Sequence, residues 1–408
     1  MKKLILLSLL ICAALSAAEL RIVRQPANGQ CKLNEESEFK IVYSGASAKS
    51  VSVAFLGNGV TEKVTLPLEK ANGEITLKRT MNVPGNLICT AEMAGAKKAV
   101  AGTLFAPEKI FAISPAPSDF DAFWQAELNK LDAVKPIAKQ IIPPNQPKGV
   151  TVYDVTIPCT GNAPVKATLG IPDGNRKWPI EVTFHGAGVM GGRMLWKAQR
   201  LQRILFDINA HGIDNLKDEA YYAQQRKRFK AYPYWGLNHR DSIYFKNMIL
   251  RAVQALRFAK TIPQWDGKNL IVSGVSQGGY QAIAAVALEP GVSCLIACVP
   301  AVCDVNADLA GRILSWPRFP DASNFKPTEG RVAVTYIDAV NFAQKIKAPK
   351  VLFSAGCRDL TSPPASVCAA YNVMPAPQKE LLILPENGHE IPPELEKRKE
   401  NFFWKSIK

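Results

Sequence analysis

Histidine is scarce in this 408-residue chain, with only four present: His185, His211, His239 and His389. No cysteine–histidine spacing resembles a zinc site, so no metal or other cofactor is expected. No low-complexity tract occurs, and a composition of 47% hydrophobic and 21% charged residues excludes a disordered chain. Beyond the N-terminal leader, no run is long and apolar enough for a membrane helix. No tryptophan lies between Cys31 and Cys89, so the core pattern of a true immunoglobulin domain is absent.

The chain is long enough for two domains. Its first 18 residues read as a signal peptide. Lys2 and Lys3 form a basic start, Leu4 to Leu15 a short apolar stretch, and Ser16-Ala17-Ala18 a small-residue cleavage site after Ala18. Cys12 follows bulky Ile11, which argues against lipid attachment, so no stable membrane anchor is expected. The protein is predicted to be secreted or periplasmic. The formal charge of +15 is dispersed, with one dense run at Arg226-Lys227-Arg228-Phe229-Lys230. In an exported protein this run reads as a solvated helix face rather than a nucleic-acid site, and it is compatible with an acidic or cell-wall-associated substrate. An oxidising compartment permits disulfides, and Cys31 with Cys89 is the candidate pair in the N-terminal region.

Residues 19–106 carry about six short alternating runs separated by Gly, Asn and Ser turns, which predicts a small immunoglobulin-like β-sandwich. Glu38–Tyr43 and Ser50–Phe55 are two of them. Ala71-Asn72-Gly73 reads as a hairpin turn between Val64–Leu68 and Ile75–Leu77. The module is either a sugar-binding or docking unit or a structural appendage. A proline-punctuated linker, Ile113–Ser118, leads to a helix over Phe120–Leu131. From Lys148 onward, apolar strands alternate with helices, including a helix over Tyr336–Lys345. This pattern predicts a mainly parallel sheet, doubly wound, across residues 107–408.

Gly274-Val275-Ser276-Gln277-Gly278 follows the strand-like Leu270-Ile271-Val272 and precedes a helical stretch. Strand, Gly-x-Ser-x-Gly, then helix is the context of a nucleophile elbow in an α/β-hydrolase. A serine hydroxyl needs a base within hydrogen-bond reach and a carboxylate to orient that base. The chain order for this fold is serine, acid, histidine, and His389 is the only histidine beyond Ser276. Asp359, just past the strand Val351–Ala355, is the candidate acid, with Asp304 its chief rival; Asp338 suits helix capping or packing better. Oxyanion donors are expected at the Gln277 backbone N–H and at Ala187 in His185-Gly186-Ala187-Gly188, with Gly186 as the alternative. His185 reads as structural.

These motifs resemble the acetyl xylan esterase and cephalosporin C deacetylase family of carbohydrate esterases. The resemblance spans roughly Pro117 to the C-terminus. It rests on Asp119–Trp124, the Gly-x-Ser-Gln-Gly form of the elbow, Tyr336-Ile337-Asp338, Asn341-Phe342-Ala343, Asp359, Pro363-Pro364, Ala369–Asn372, Lys379-Glu380 and Gly388-His389-Glu390. It implies Ser276, Asp359 and His389 as the triad, and removal of acetyl groups from xylan or related oligosaccharides through an acyl-enzyme. The implied partner is an acetylated oligo- or polysaccharide, and the resemblance admits a homo-oligomer. Two departures stand out. Ala187 replaces the family's tyrosine, and Asn209-Ala210-His211-Gly212 stands where the family carries Arg-Gly-Gln, with His211 in a position to replace that hydrogen bonding. The first departure keeps a larger-acyl esterase of feruloyl or glucuronoyl type, or a peptidase, as the alternative. An inactive binding protein of this fold is the remaining one.

Overall fold

The computed structural model describes residues 18–161, 163–193 and 195–407. Except for Ala18, the predicted signal peptide lies outside them.

Eight strands precede residue 106: β1 (Glu19–Gln25), β2 (Gln30–Cys31), β3 (Ser37–Ser44), β4 (Ser50–Gly57), β5 (Val60–Pro67), β6 (Gly73–Arg79), β7 (Gly85–Glu92) and β8 (Ala99–Phe105). Burial alternates along β3, so every second side chain enters a core. The strands form two sheets, ordered β1-β3-β6 and β2-β8-β7-β4-β5. Phe39 of one sheet meets Phe55 of the other edge-to-face at 5.4 Å, in a core that also holds Ile41, Val53 and Leu87.

Two sequence expectations fail here. Strands β5 and β6 are not a hairpin: β5 pairs with β4, whereas β6 pairs with β3 in the other sheet. The segment containing Ala71-Asn72 carries the chain between sheets, with the Asn72 side chain accepting the Gly45 N–H. The tight hairpin turn is Asn58-Gly59, where both residues take positive φ. Cys31 and Cys89 are also free and buried. Strand β8 lies between their strands, with Cys31 opposite Phe105 and Cys89 opposite Ala101. Two strand spacings of about 4.8 Å each already exceed the reach of a disulfide.

Helix α1 (Phe120–Asp132) follows the linker. Its Trp124 is 1% exposed, donates Nε1–H to the Tyr336 carbonyl at 2.9 Å and meets the Phe342 ring at 5.2 Å. The remaining strands are β9 (Lys139–Ile141), β10 (Val150–Ile157), β11 (Val165–Pro172), β12 (Trp178–Phe184), β13 (Ile204–Asn209), β14 (Trp265–Val275), β15 (Cys294–Cys298), β16 (Lys350–Gly356) and β17 (Gln378–Leu384). They form one nine-stranded sheet, ordered β17-β16-β15-β14-β12-β13-β11-β10-β9. The six strands from β17 to β13 run parallel, while β11, β10 and β9 are added antiparallel at one edge.

Helices α2 (Glu219–Arg228), α3 (Tyr244–Ala259), α4 (Gln277–Leu288), α5 (Pro327–Thr335), α6 (Ala339–Ala343), α7 (Pro364–Asn372) and α8 (Pro393–Ser406) complete the chain. Alternate residues of β14 face opposite ways. Leu270 and Val272 pack in the core with α3, α4, α6 and α7, whereas Ile271 packs in a second cluster with Leu395 and Phe403 of α8. The sheet is therefore covered on both faces. The helix expected over Tyr336–Lys345 is shorter, because Asp338 takes extended backbone and its side chain accepts the Val340 N–H as a cap. The dense basic run ends α2, with Arg226, Lys227 and Arg228 exposed.

Trp124 joins the entry helix to the segment that precedes α6. Trp124→Ala should cost about 3–5 kcal/mol of unfolding free energy, because it removes a buried ring and leaves the Tyr336 carbonyl without its donor. Urea denaturation of the purified variant measures this, and a loss below about 1 kcal/mol would contradict the packing role.

Candidate active site

Strand β14 ends one residue before Ser276, and α4 begins one residue after it. Ser276 has φ 57° and ψ −121°, a region that non-glycine residues rarely occupy. Two backbone bonds hold it there: its N–H donates to the Cys298 carbonyl at 2.9 Å, and its carbonyl accepts from the Ala301 N–H at 3.1 Å. Glycine is required on both sides. A Cβ on Gly278 would lie 2.0 Å from the Phe184 carbonyl oxygen, and one on Gly274 would lie 2.1 Å from the Gly278 oxygen. The turn thus forces close contact between strand and helix and leaves the hydroxyl at the C-terminal edge of the parallel strands.

The structure brings Ser276, Asp359 and His389 into one hydrogen-bonded row. His389 Nε2 lies 2.8 Å from Ser276 Oγ, and His389 Nδ1 lies 2.7 Å from Asp359 Oδ2. Asp359 is fully buried, and its other oxygen accepts the Thr361 and Ser362 N–H groups at 2.7 and 2.8 Å. With Asp359 accepting at Nδ1, the imidazole carries its proton there and offers a lone pair at Nε2 toward the serine. Glu390 does not compete for His389. Its carboxylate accepts from the Asn387 side chain at 2.9 Å and the Gly388 N–H at 3.1 Å, which closes the histidine loop on itself. The rival Asp304 is occupied elsewhere, in an ion pair with Arg312 at 3.0 Å and a bond from the Ile113 N–H at 2.9 Å. Asp338 accepts backbone N–H groups from Asp304, Val305 and Val340.

The loop after β12 lies over the serine. A Cβ on Gly186 would stand 3.8 Å from Ser276 Cβ, and Ala187 is exposed beside it. Two histidines shape this loop. His185 Nδ1–H donates to the Gly186 carbonyl at 2.7 Å, while its Nε2 accepts the Ala210 N–H at 3.3 Å. The Gly186 carbonyl and the Ala187 N–H share one planar trans peptide, so fixing the carbonyl fixes the direction of that N–H. His211 Nε2–H donates to the Gly188 carbonyl at 3.1 Å, and its Nδ1 accepts the Tyr244 hydroxyl at 2.8 Å. His211 therefore ties the loop to α3 through its own hydrogen bonds. The second donor candidate, the Gln277 N–H, belongs to the first turn of α4, where a helix has no internal acceptor for it. Sequence reasoning missed Tyr232. Its hydroxyl donates to Gln277 Oε1, and its ring meets that of His211 at 4.5 Å. No local pattern signals a contact made across 45 residues.

Burial pushes the His185 imidazole below its ordinary value, and burial with the nearby His185 and Arg251 lowers His211 to about 3. Both are neutral near pH 7, as their paired donor and acceptor roles require. Among the described residues no group of His, Cys, Asp and Glu could hold a metal ion. A cavity of about 790 Å³ lies between α8 and the Trp196 segment, lined in part by Glu181, His185, Gly186, Arg203 and Lys399, and does not include Ser276, Asp359 or His389. A smaller one of about 380 Å³ is lined by His211, Phe229, Trp235, Tyr244 and Arg228.

Comparison with known proteins follows this geometry. The model of the acetyl xylan esterase family matches residues 108–407. The chain belongs to the acetyl xylan esterase family. It is a carboxylic ester hydrolase with the α/β-hydrolase architecture. The acetyl esterase Axe7A of Xylanibacter ruminicola is 27% identical over 371 residues, covering 85% of this chain and 84% of that protein. That span is longer than the family match, so it reaches back into the N-terminal sheets. Solved structures of acetyl xylan esterase 1 from Thermoanaerobacterium sp. JW/SL YS485 and of the acetyl xylan esterase from Paenibacillus sp. R4 share the fold. Their TM-scores are 0.64 and 0.62; each is 23% identical and covers 74% of this chain and 98% of its own.

Neutral His211 has a consequence for acid stability. Its folded-state value lies below the ordinary 6.5, so the unfolded chain takes up a proton that the folded chain refuses until about pH 3. The stability it contributes is full above pH 6.5 and is lost as pH falls toward 3, at about 1.4 kcal/mol per unit. His211→Gln should flatten that part of the stability–pH curve between pH 6.5 and 4 in urea titrations. Parallel curves for variant and wild type would exclude His211 as the source.

Proposed function

We propose that this chain is a serine esterase that removes acetyl groups from xylan or related oligosaccharides. The observation that carries the reading is the continuous row from Asp359 through His389 to Ser276, with bonds of 2.7 and 2.8 Å. Ser276 Oγ attacks the acyl carbon while His389 Nε2 takes the serine proton. The carbonyl oxygen becomes an oxyanion, received by the Gln277 and Ala187 N–H groups. The intermediate collapses to an acyl-serine, and His389 gives the proton to the departing sugar oxygen. Water then loses a proton to His389 and attacks the acyl carbon. The second collapse releases acetate and returns the proton to Ser276. Asp359 remains a carboxylate, orienting the imidazole and stabilising its charged form.

The surroundings support a carbohydrate leaving group. Trp235 is 38% exposed in a cavity that His211 also lines, together with Phe229, Tyr244 and Arg228. Flat amphipathic rings suit the apolar faces of sugars, and polar groups such as Ser242, Asn247 and Arg251 suit their hydroxyls. The Lys2–Ala18 pattern supports an exported enzyme that meets polysaccharide outside the cytosol. The cysteines are compatible with that setting: burial pushes Cys89, Cys294 and Cys357 up to about 12, which keeps them as unreactive thiols.

Ser276→Ala should reduce turnover of acetyl esters by roughly 10⁵-fold or more without altering the circular dichroism spectrum. Retained turnover in a folded variant would refute the nucleophile. The acyl group is tested separately, because Ala187, exposed beside the serine, keeps a larger-acyl esterase as the second reading. Acetylated xylo-oligosaccharides should be cleaved with higher kcat/KM than butyryl or feruloyl counterparts. A preference for the feruloyl ester would overturn the acetyl reading and keep the serine mechanism.

A further inference from the structure

The N-terminal sheets meet the hydrolase region at the two loops that carry Asp359 and His389, and also where the Gly59 N–H donates to the Gly311 carbonyl at 2.8 Å. Arg24 of β1 is 4% exposed. Its guanidinium donates to the Pro26 carbonyl at 2.6 Å, the Pro385 carbonyl at 3.3 Å and the Glu386 carboxylate at 2.6 Å. The second Glu386 oxygen takes the Arg358 guanidinium. Arg358 immediately precedes Asp359, and Glu386 lies three residues before His389. One buried cation therefore links β1 to the histidine loop directly and to the acid loop through a shared carboxylate. The two loops are also joined to each other, with the Cys357 N–H donating to Leu384 at 3.0 Å and the Arg358 N–H to Asn387 at 2.9 Å.

The backbones come equally close. A Cβ on Gly102 of β8 would lie 1.8 Å from the Cys357 carbonyl oxygen, and one on Gly29, at φ 75°, would lie 2.8 Å from Cys357 Sγ. Past the end of β8, the Pro107 and Ile110 carbonyls accept from the Asn372 side chain of α7, each at 2.8 Å. A sugar-binding appendage on a linker needs none of this. Such contacts belong to a support that sets where two loops stand.

We propose that the N-terminal β unit is a brace for the acid–base pair, with Arg24 as its positioning residue. The proposal rests on the triad reading above. Arg24 acts through Glu386 and Arg358 on the separation and orientation of Asp359 and His389. Displacing a reacting group by about 1 Å can cost ~10²-fold in rate, so partial release of the brace should appear in kcat. Binding of a small ester should change little.

The test compares Arg24→Ala, Arg24→Lys and Val53→Ala in the full chain. Val53 is fully buried in the core of the β unit and serves as the control for loss of stability alone. Active serines are counted with a stoichiometric phosphonyl fluoride, and kcat and KM for 4-nitrophenyl acetate are expressed per titrated site. Arg24→Ala should lower kcat per site about tenfold or more with KM changed less than about twofold. Arg24→Lys keeps the charge with fewer donors and should fall between the two, while Val53→Ala should match wild type per site. Wild-type kcat per site in Arg24→Ala, or an equal loss in Val53→Ala, would overturn the brace. If Arg24→Ala gives no titratable serine, Arg24→Lys decides: a reduced kcat supports the proposal and a wild-type kcat defeats it. A wild-type enzyme that titrates normally yet ignores acetylated xylan would count against the substrate only. Failure of the wild-type serine to titrate would count against the triad itself.

Discussion

The catalytic end of the sheet depends on how closely helix α4 approaches strand β12. A single methyl group on Gly278 would lie 2.0 Å from the Phe184 carbonyl oxygen. That distance is far inside van der Waals contact, so any side chain there would push the helix away. The helix carries the Gln277 N–H, and the segment after Phe184 carries the Ala187 N–H. Separating them would therefore pull the two candidate oxyanion donors apart. The same approach puts Ser276 at positive φ, where the Cys298 and Ala301 backbone bonds hold it. Strain at this residue is held by β15 and the segment that follows it.

Around that turn, most polar groups are already committed. Both Asp359 oxygens are engaged, and Glu390 is spent on its own loop. His185 and His211 each use one nitrogen to give and one to receive, so neither offers a lone pair to the substrate. What faces His389 is the serine hydroxyl, the nucleophile of the proposed mechanism. Histidine scarcity thus has a structural counterpart: three of the four imidazoles serve one site, two by shaping its loop and one by facing its serine. The fourth, His239, stands on the surface.

Features encoded locally were legible in the sequence. The elbow is five contiguous residues, and the parallel strands are short apolar runs. Which three side chains meet was readable because chain order in this fold constrains the choice and only one histidine lies downstream. Features set by distant contacts were not legible. Tyr232 reaches Gln277 across 45 residues and Arg24 reaches Glu386 across 362, and neither leaves a periodic trace. The Ala71-Asn72-Gly73 turn misled for a related reason. A turn signal reports that the chain bends but not which sheet the next strand joins, and β6 joined the other one. The proposed Cys31–Cys89 pair failed because adjacency along the chain said nothing of the strand between them.

Among the described residues, eight free thiols bear on how such a chain reaches its native state. Once folded, seven of them are buried, and Cys159 is partly so. While unfolded, all eight are open to any oxidant present. Local collapse and strand pairing take microseconds to milliseconds, whereas disulfide chemistry takes seconds or longer. A chain that folds in oxidising surroundings therefore keeps its thiols by finishing first. Before folding their protection is kinetic, and after it their protection is burial.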